Sequence, residues 1–107
     1  MAQFDDREKA QEAKFAHDSE LLFKAEARRN KLLGLWAAGQ MGLSDDAAKV
    51  YAGEVVAADF EEAGDADVVR KVLGDLTAQN VAITEAQIHA KMSEFLAQAV
   101  VQVKAGT

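Results

Sequence analysis

The chain has two histidines, His17 and His89, and each stands within helical reach of a carboxylate. Glu20 lies three residues after the first and Glu85 four before the second. An imidazole and a carboxylate on one helix face could begin a metal site. A helical di-metal centre, however, needs Glu-x-x-His on two helices and further glutamates. Here the second spacing is wrong and the other ligands are missing, so no metal is expected. The run DFEEAGDAD, residues 59–67, gathers five carboxylates. Read as a calcium loop from Asp59, it puts Glu61 third and Gly64 sixth. Ala63 then stands fifth and Arg70 twelfth, where a bidentate glutamate is required. An acidic helix-capping turn explains the run better. Neither G-x-x-x-x-G-K-[ST] nor G-x-G-x-x-G occurs, cysteine is absent, and no Ser/His/Asp set suggests itself. These residues do not read as an enzyme.

One concentration of positive charge remains, KAEARRNK at residues 24–31. It reads either as a solvated helix face or as a docking patch for an acidic partner or a phosphate. The formal charge of −6 is unevenly placed. Residues 1–40 carry seven basic and seven acidic groups, so the whole excess lies in residues 41–107, with five basic and eleven acidic. An acidic body argues against nucleic-acid binding, since phosphate contacts need positive surface. No apolar run reaches the roughly 18 residues that would span a membrane, and the charged N-terminus lacks the apolar centre of a secretory signal. A cytoplasmic protein is expected.

The elements that carry these residues are helices. Among 107 residues there is no proline and only seven glycines, and Ala, Glu, Lys, Gln and Leu dominate. The first helical pattern runs from about Asp5 to Ala38. Asp5 or Asp6 is the expected cap, and Gly39 and Gly42 are the expected stop. Residues 21–36 contain Leu21, Leu22, Phe23, Leu32, Leu33, Leu35 and Trp36, and the series 22, 25, 29, 32, 36 and 21, 25, 28, 32, 35 each follow helical spacing. Arg28 and Arg29 interrupt their stripes, so their stems are expected along the core with their heads in water. A second helix is expected from Ser44 with Val50, Tyr51, Val55, Val56 and Phe60. A third is capped by Asp65 and carries Val68, Val69, Val72, Leu73 and Leu76. A fourth opens with the Thr84–Gln87 capping box and carries Ile88, Met92, Phe95, Leu96, Ala99 and Val103. Short connections favour an all-α four-helix bundle.

Residues 1–18 fit this scheme poorly. Phe4 and Phe15, eleven apart on one narrow helical line, are the large apolar residues there besides Met1. Burying two phenylalanines is worth about 3–6 kcal/mol, against about 1–2 kcal/mol for each backbone residue fixed. An isolated helix of this length is marginal in water. A mobile, partly helical segment is expected at 1–18, attached to a bundle domain at 19–107. A partner groove would order it by coupled folding and binding.

Residues 4–38, FDDREKAQEAKFAHDSELLFKAEARRNKLLGLWAA, together with residues 59–73, DFEEAGDADVVRKVL, resemble the zeta subunit of alpha-proteobacterial F-type ATP synthases. F-D-D-R-E-x-A-x-E-A-K-F and A-E-A-R-R-N-x-L-L-G-x-W are its most specific parts; residues 39–58 and 77–107 match more loosely. The resemblance implies a four-helix bundle that binds the catalytic head of ATP synthase and inhibits ATP hydrolysis. It implies a location at the inner membrane through that enzyme, without insertion into the bilayer. The inhibitory element would be the segment from about Phe4 to Asp18, inserting at a catalytic subunit interface. Phe4 and Phe15 are then the expected anchors, with Asp5, Asp6, Arg7, Glu8, Lys9, Glu12 and Lys14 in polar contacts. Some members of the family bind adenine nucleotides weakly. An alternative reading makes the chain a nucleotide-sensing helical module, with Arg28, Arg29 and Lys31 on phosphates and Trp36 nearby. A third makes it a passive assembly protein. No cofactor is required in any of them.

Overall fold

The computed structural model describes residues 2–59 and 65–106, and for residues 2–19 the backbone alone. The chain is all-α: α1 spans Ala2–Gln40, α2 Asp45–Ala58, α3 Ala66–Ala78 and α4 Glu85–Lys104. The expected four-helix arrangement is present, and α1 packs most extensively against α2 and α4. No helix among the described residues is long and apolar enough to cross a membrane.

The helix ends follow local chemistry, with four departures from expectation. Helix α1 is already helical at Ala2, so Asp5 and Asp6 fall inside it rather than at its cap. At its other end Gly39 stays helical and Gly42 alone takes the left-handed conformation, at φ +76°. There the Gly42 N–H donates to Gly39 O at 3.1 Å and the Leu43 N–H to Ala38 O at 2.9 Å, the paired bonds that satisfy a helix's last carbonyls. Asn80 does the same for α3 at φ 62°, with Val81 N–H donating to Leu76 O at 2.9 Å. Ser44 has the extended backbone of a cap at the start of α2, but its hydroxyl makes no capping bond. Asp65 precedes α3 and does not cap it either, because its carboxylate is engaged elsewhere. The Thr84–Gln87 box is complete: the Gln87 N–H donates to Thr84 Oγ1 at 3.2 Å and the Thr84 N–H to Gln87 Oε1 at 2.8 Å.

One core runs through the bundle. It joins Leu33 and Ala37 of α1, Tyr51 and Val55 of α2, Val68, Val72 and Leu76 of α3, and Ile88 and Met92 of α4, with Trp36, Leu73 and Phe95 at its rim. Val50 departs from the expected stripe and is 66% exposed. Tyr51, Val55 and Ala58 form the inward face of α2, and Val50, one residue before Tyr51, is turned about 100° away. Phe60 lies outside the described residues. Helices α1 and α2 approach so closely at Gly34 that a Cβ there would lie 2.6 Å from the Ala52 Cα.

Candidate functional site

Helix α1 has 39 residues and α4 has 20, about 58 Å and 30 Å at 1.5 Å per residue. Their register is antiparallel. Lys91 Nζ sits 5.8 Å from the Trp36 ring, and further along Arg28 Nη1 donates a long 3.4 Å bond to Gln102 Oε1. Val103 and Lys104 meet Glu20, Leu21 and Lys24 around a shallow hollow. Helix α4 therefore ends beside the 20–24 turn of α1, and the positions before Glu20 run on past that end. The 61 Å longest dimension of the molecule matches the length of α1 alone. Beside the end of α4, Leu21 is half-buried and Leu22 and Phe23 are exposed, whereas Ala25 is fully buried. The candidate anchors Phe4 and Phe15, and the side chains of Asp5, Asp6, Arg7, Glu8, Lys9, Glu12 and Lys14, lie outside the described side chains; their backbone is helical.

At the base of this extension lies a polar cluster. Arg29 is 3% exposed, contrary to the expectation of a stem along the core with a solvated head. Its Nη2 donates to Asp65 Oδ1 at 2.8 Å and its Nη1 to Oδ2 at 3.4 Å. Nε and Nη2 also donate to Asn30 Oδ1, at 3.1 and 2.9 Å. Burial of a guanidinium is tolerated only when it is paired and hydrogen-bonded in this way. Asn30 is fully buried, and its Nδ2 has no partner. The pair ties the bundle half of α1 to the head of α3.

Of the four candidate nucleotide contacts, Arg29 is turned inward onto Asp65, Arg28 lies half-buried at the α1–α4 seam with Gln102, and Lys31 is exposed. Trp36 is half-buried at the core's rim beneath Lys91, which also stands 5.8 Å from the Phe95 ring. His89 does meet Glu85, at 3.6 Å, while the His17 side chain is outside the described set. Among the described residues no group of three or more potential ligands could hold a metal ion.

Sequence reasoning missed a second polar pin. The Tyr51 hydroxyl donates to Asp75 Oδ2 at 2.8 Å, and Lys71 Nζ stands 3.2 Å from the same carboxylate, 3.8 Å from Glu54 and 5.2 Å over the Tyr51 ring. Burial, reinforced by the Asp75 hydrogen bond and the neighbouring carboxylate charges, holds the phenol protonated well above its ordinary range. Lys71 and Asp75, four apart, were a legible helix pair. Nothing local in the sequence signalled that Tyr51 would join them.

Comparison with known proteins then fixes the family. No curated protein matches the chain. A solution NMR structure of a protein 54% identical covers 79% of this chain and 96% of its own, with a TM-score of 0.70. The similarity therefore extends to sequence as well as to helix arrangement. The family model for ATPase inhibitor subunit zeta matches residues 1–102, extension and bundle together, and the chain belongs to that family.

Proposed function

We propose that the chain regulates an F-type ATP synthase by lodging the N-terminal part of α1 at an interface between subunits of the catalytic head, so blocking ATP hydrolysis. A regulatory inhibitor's role follows from the family. The observation that carries the mechanism is the mismatch between α1 and the bundle: α4 ends beside residues 20–24, where Leu22 and Phe23 are exposed, while the α1 backbone runs on back to Ala2. On this reading residues 1–18 are the inhibitory segment, partly helical and mobile in the free chain, and residues 19–107 form the domain that presents it. Phe4 and Phe15 anchor the segment. Asp5, Asp6, Arg7, Glu8, Lys9, Glu12 and Lys14 fix its orientation through paired charges, which discriminate against wrong registers more than they add affinity. A helix wedged between subunits stops a rotary cycle if it binds one conformation of the site better than the others. The protein then sits at the inner membrane through the enzyme it inhibits.

The reading as a nucleotide sensor has less behind it, since Arg29 is committed to Asp65. The test is ATP hydrolysis by purified catalytic head with the full chain or with residues 19–107. The shorter chain is expected to keep its helical signal and lose inhibition. Equal inhibition by both would remove the proposal, and failure of the full chain to bind the head at all would leave the passive assembly role or none.

A further inference from the structure

In the helical state that α1 shows from Ala2 to Gln40, the state that an inserted segment would hold, its residues keep an angular register of about 100° per step. Positions 4, 15, 22, 29 and 33 then fall within about 40° of one another around the axis. Leu33 and Arg29 occupy that line inside the bundle and are buried. Phe4 and Phe15 occupy it in the extension. Leu22 stands between, at the step where the bundle ends, and is 46% exposed. The Glu20–Lys24 pair, 3.6 Å apart with both side chains largely exposed, lies about 160° around the helix from Leu22 and leaves that face uncovered.

We infer that Leu22 is a third anchor on the line of Phe4 and Phe15, and that the groove of the catalytic head holding the inhibitory segment reaches to the edge of the bundle. This rests on the insertion proposed above. The occupant of the Leu22 face is that groove, because an apolar line on a straight helix cannot enter it at Phe15 and leave its direction two turns later. Phe23, 60% exposed, lies about 100° away from Leu22 and off the line.

Register supplies the test. In the full chain, Leu22→Ser is expected to raise the concentration for half-inhibition of ATP hydrolysis roughly five- to tenfold, from the half of a leucine surface still open to burial. Phe23→Ser is expected to change it less than about twofold, since its position faces away from the line. The thermal midpoint of each variant reports whether the bundle is intact. As the chain has no cysteine, Leu22→Cys gives a unique site for a photo-crosslinker. It is expected to capture a catalytic-head subunit, whereas Val50→Cys, on the outer face of α2, is not. Parent-like inhibition by Leu22→Ser, an equal loss from Phe23→Ser, or no crosslink from position 22 would each overturn the inference. A Phe4→Ser, Phe15→Ser double variant separates the two claims. If it inhibits like the parent, the insertion itself fails. If it loses inhibition while Leu22→Ser does not, only the extension to Leu22 fails.

Discussion

Arg29, in the bundle half of α1, and Asp65, at the head of α3, close an ion pair at 2.8 Å across 36 positions of sequence. The arginine is buried and the carboxylate about half exposed, so the two ends of the pair respond differently to removal. Asp65→Ala leaves a buried guanidinium with only the Asn30 oxygen. It is expected to destabilise the bundle by about 2–3 kcal/mol, below the 3–5 kcal/mol of a fully buried pair. Replacing both partners, Arg29→Met with Asp65→Ala, is expected to cost less than Asp65→Ala alone, because the unpaired charge is gone. Urea denaturation of the two variants checks the order.

Gly34 and Gly53 make opposite predictions for the same substitution. A methyl at Gly34 would meet the Ala52 backbone at 2.6 Å, whereas a Cβ at Gly53 meets nothing within 4 Å. Gly34→Ala is therefore expected to force α1 and α2 apart and cost about 1–3 kcal/mol, overriding the better helix propensity of alanine. Gly53→Ala keeps that propensity gain and is expected to stabilise by roughly 0.5–1 kcal/mol. Thermal midpoints of the two variants should move in opposite directions.

Two hydroxyls at helix starts are likewise unequal. Thr84→Ala breaks a complete capping box and is expected to cost about 1 kcal/mol. Ser44→Ala removes a hydroxyl with no capping bond and is expected to stay within about 0.5 kcal/mol of the parent. Denaturant midpoints compared at equal slope decide between them.

Tyr51 gives the bundle an alkaline limit. Its phenol is raised above the ordinary value of 10.0 by burial first and by Asp75 second. Above pH 10 the unfolded chain releases that proton while the folded chain keeps it, so the unfolded state gains. Stability is intact below the ordinary value and falls as pH rises beyond it, by at most about 1.4 kcal/mol per pH unit for one proton. Tyr51→Phe is expected to lose about 1 kcal/mol at neutral pH with its hydrogen bond and to flatten this slope. Urea denaturation between pH 9 and about pH 11.5 measures both effects.

The sequence made the helices legible wherever period and punctuation agreed. Val68, Val69, Val72 and Leu76 announced the inner face of α3, and Thr84 with Gln87 marked the start of α4. Legibility failed where a residue's local preference lost to a distant partner. Asp65 looked like a cap and instead meets Arg29; Arg29 looked like a snorkelling side chain and is buried. Neither fact has a short-range signal, since 36 positions separate the pair. Val50 was misplaced because consecutive valines and an alanine-rich helix leave the angular position of the face underdetermined. The proposed inhibitory segment rests on a different kind of signal: a deficit of large apolar residues before Leu21 on a chain otherwise built to pack.

Residues 1–18 are proposed to act outside their own bundle, and amide hydrogen exchange of the full chain, free and bound to inhibited catalytic head, reads this amide by amide. Strong new protection is expected across residues 2–18 on binding, with the amides around Leu33, Val72 and Met92 unchanged. Binding and inhibition with residues 2–18 exchanging as in the free chain would rule the insertion out.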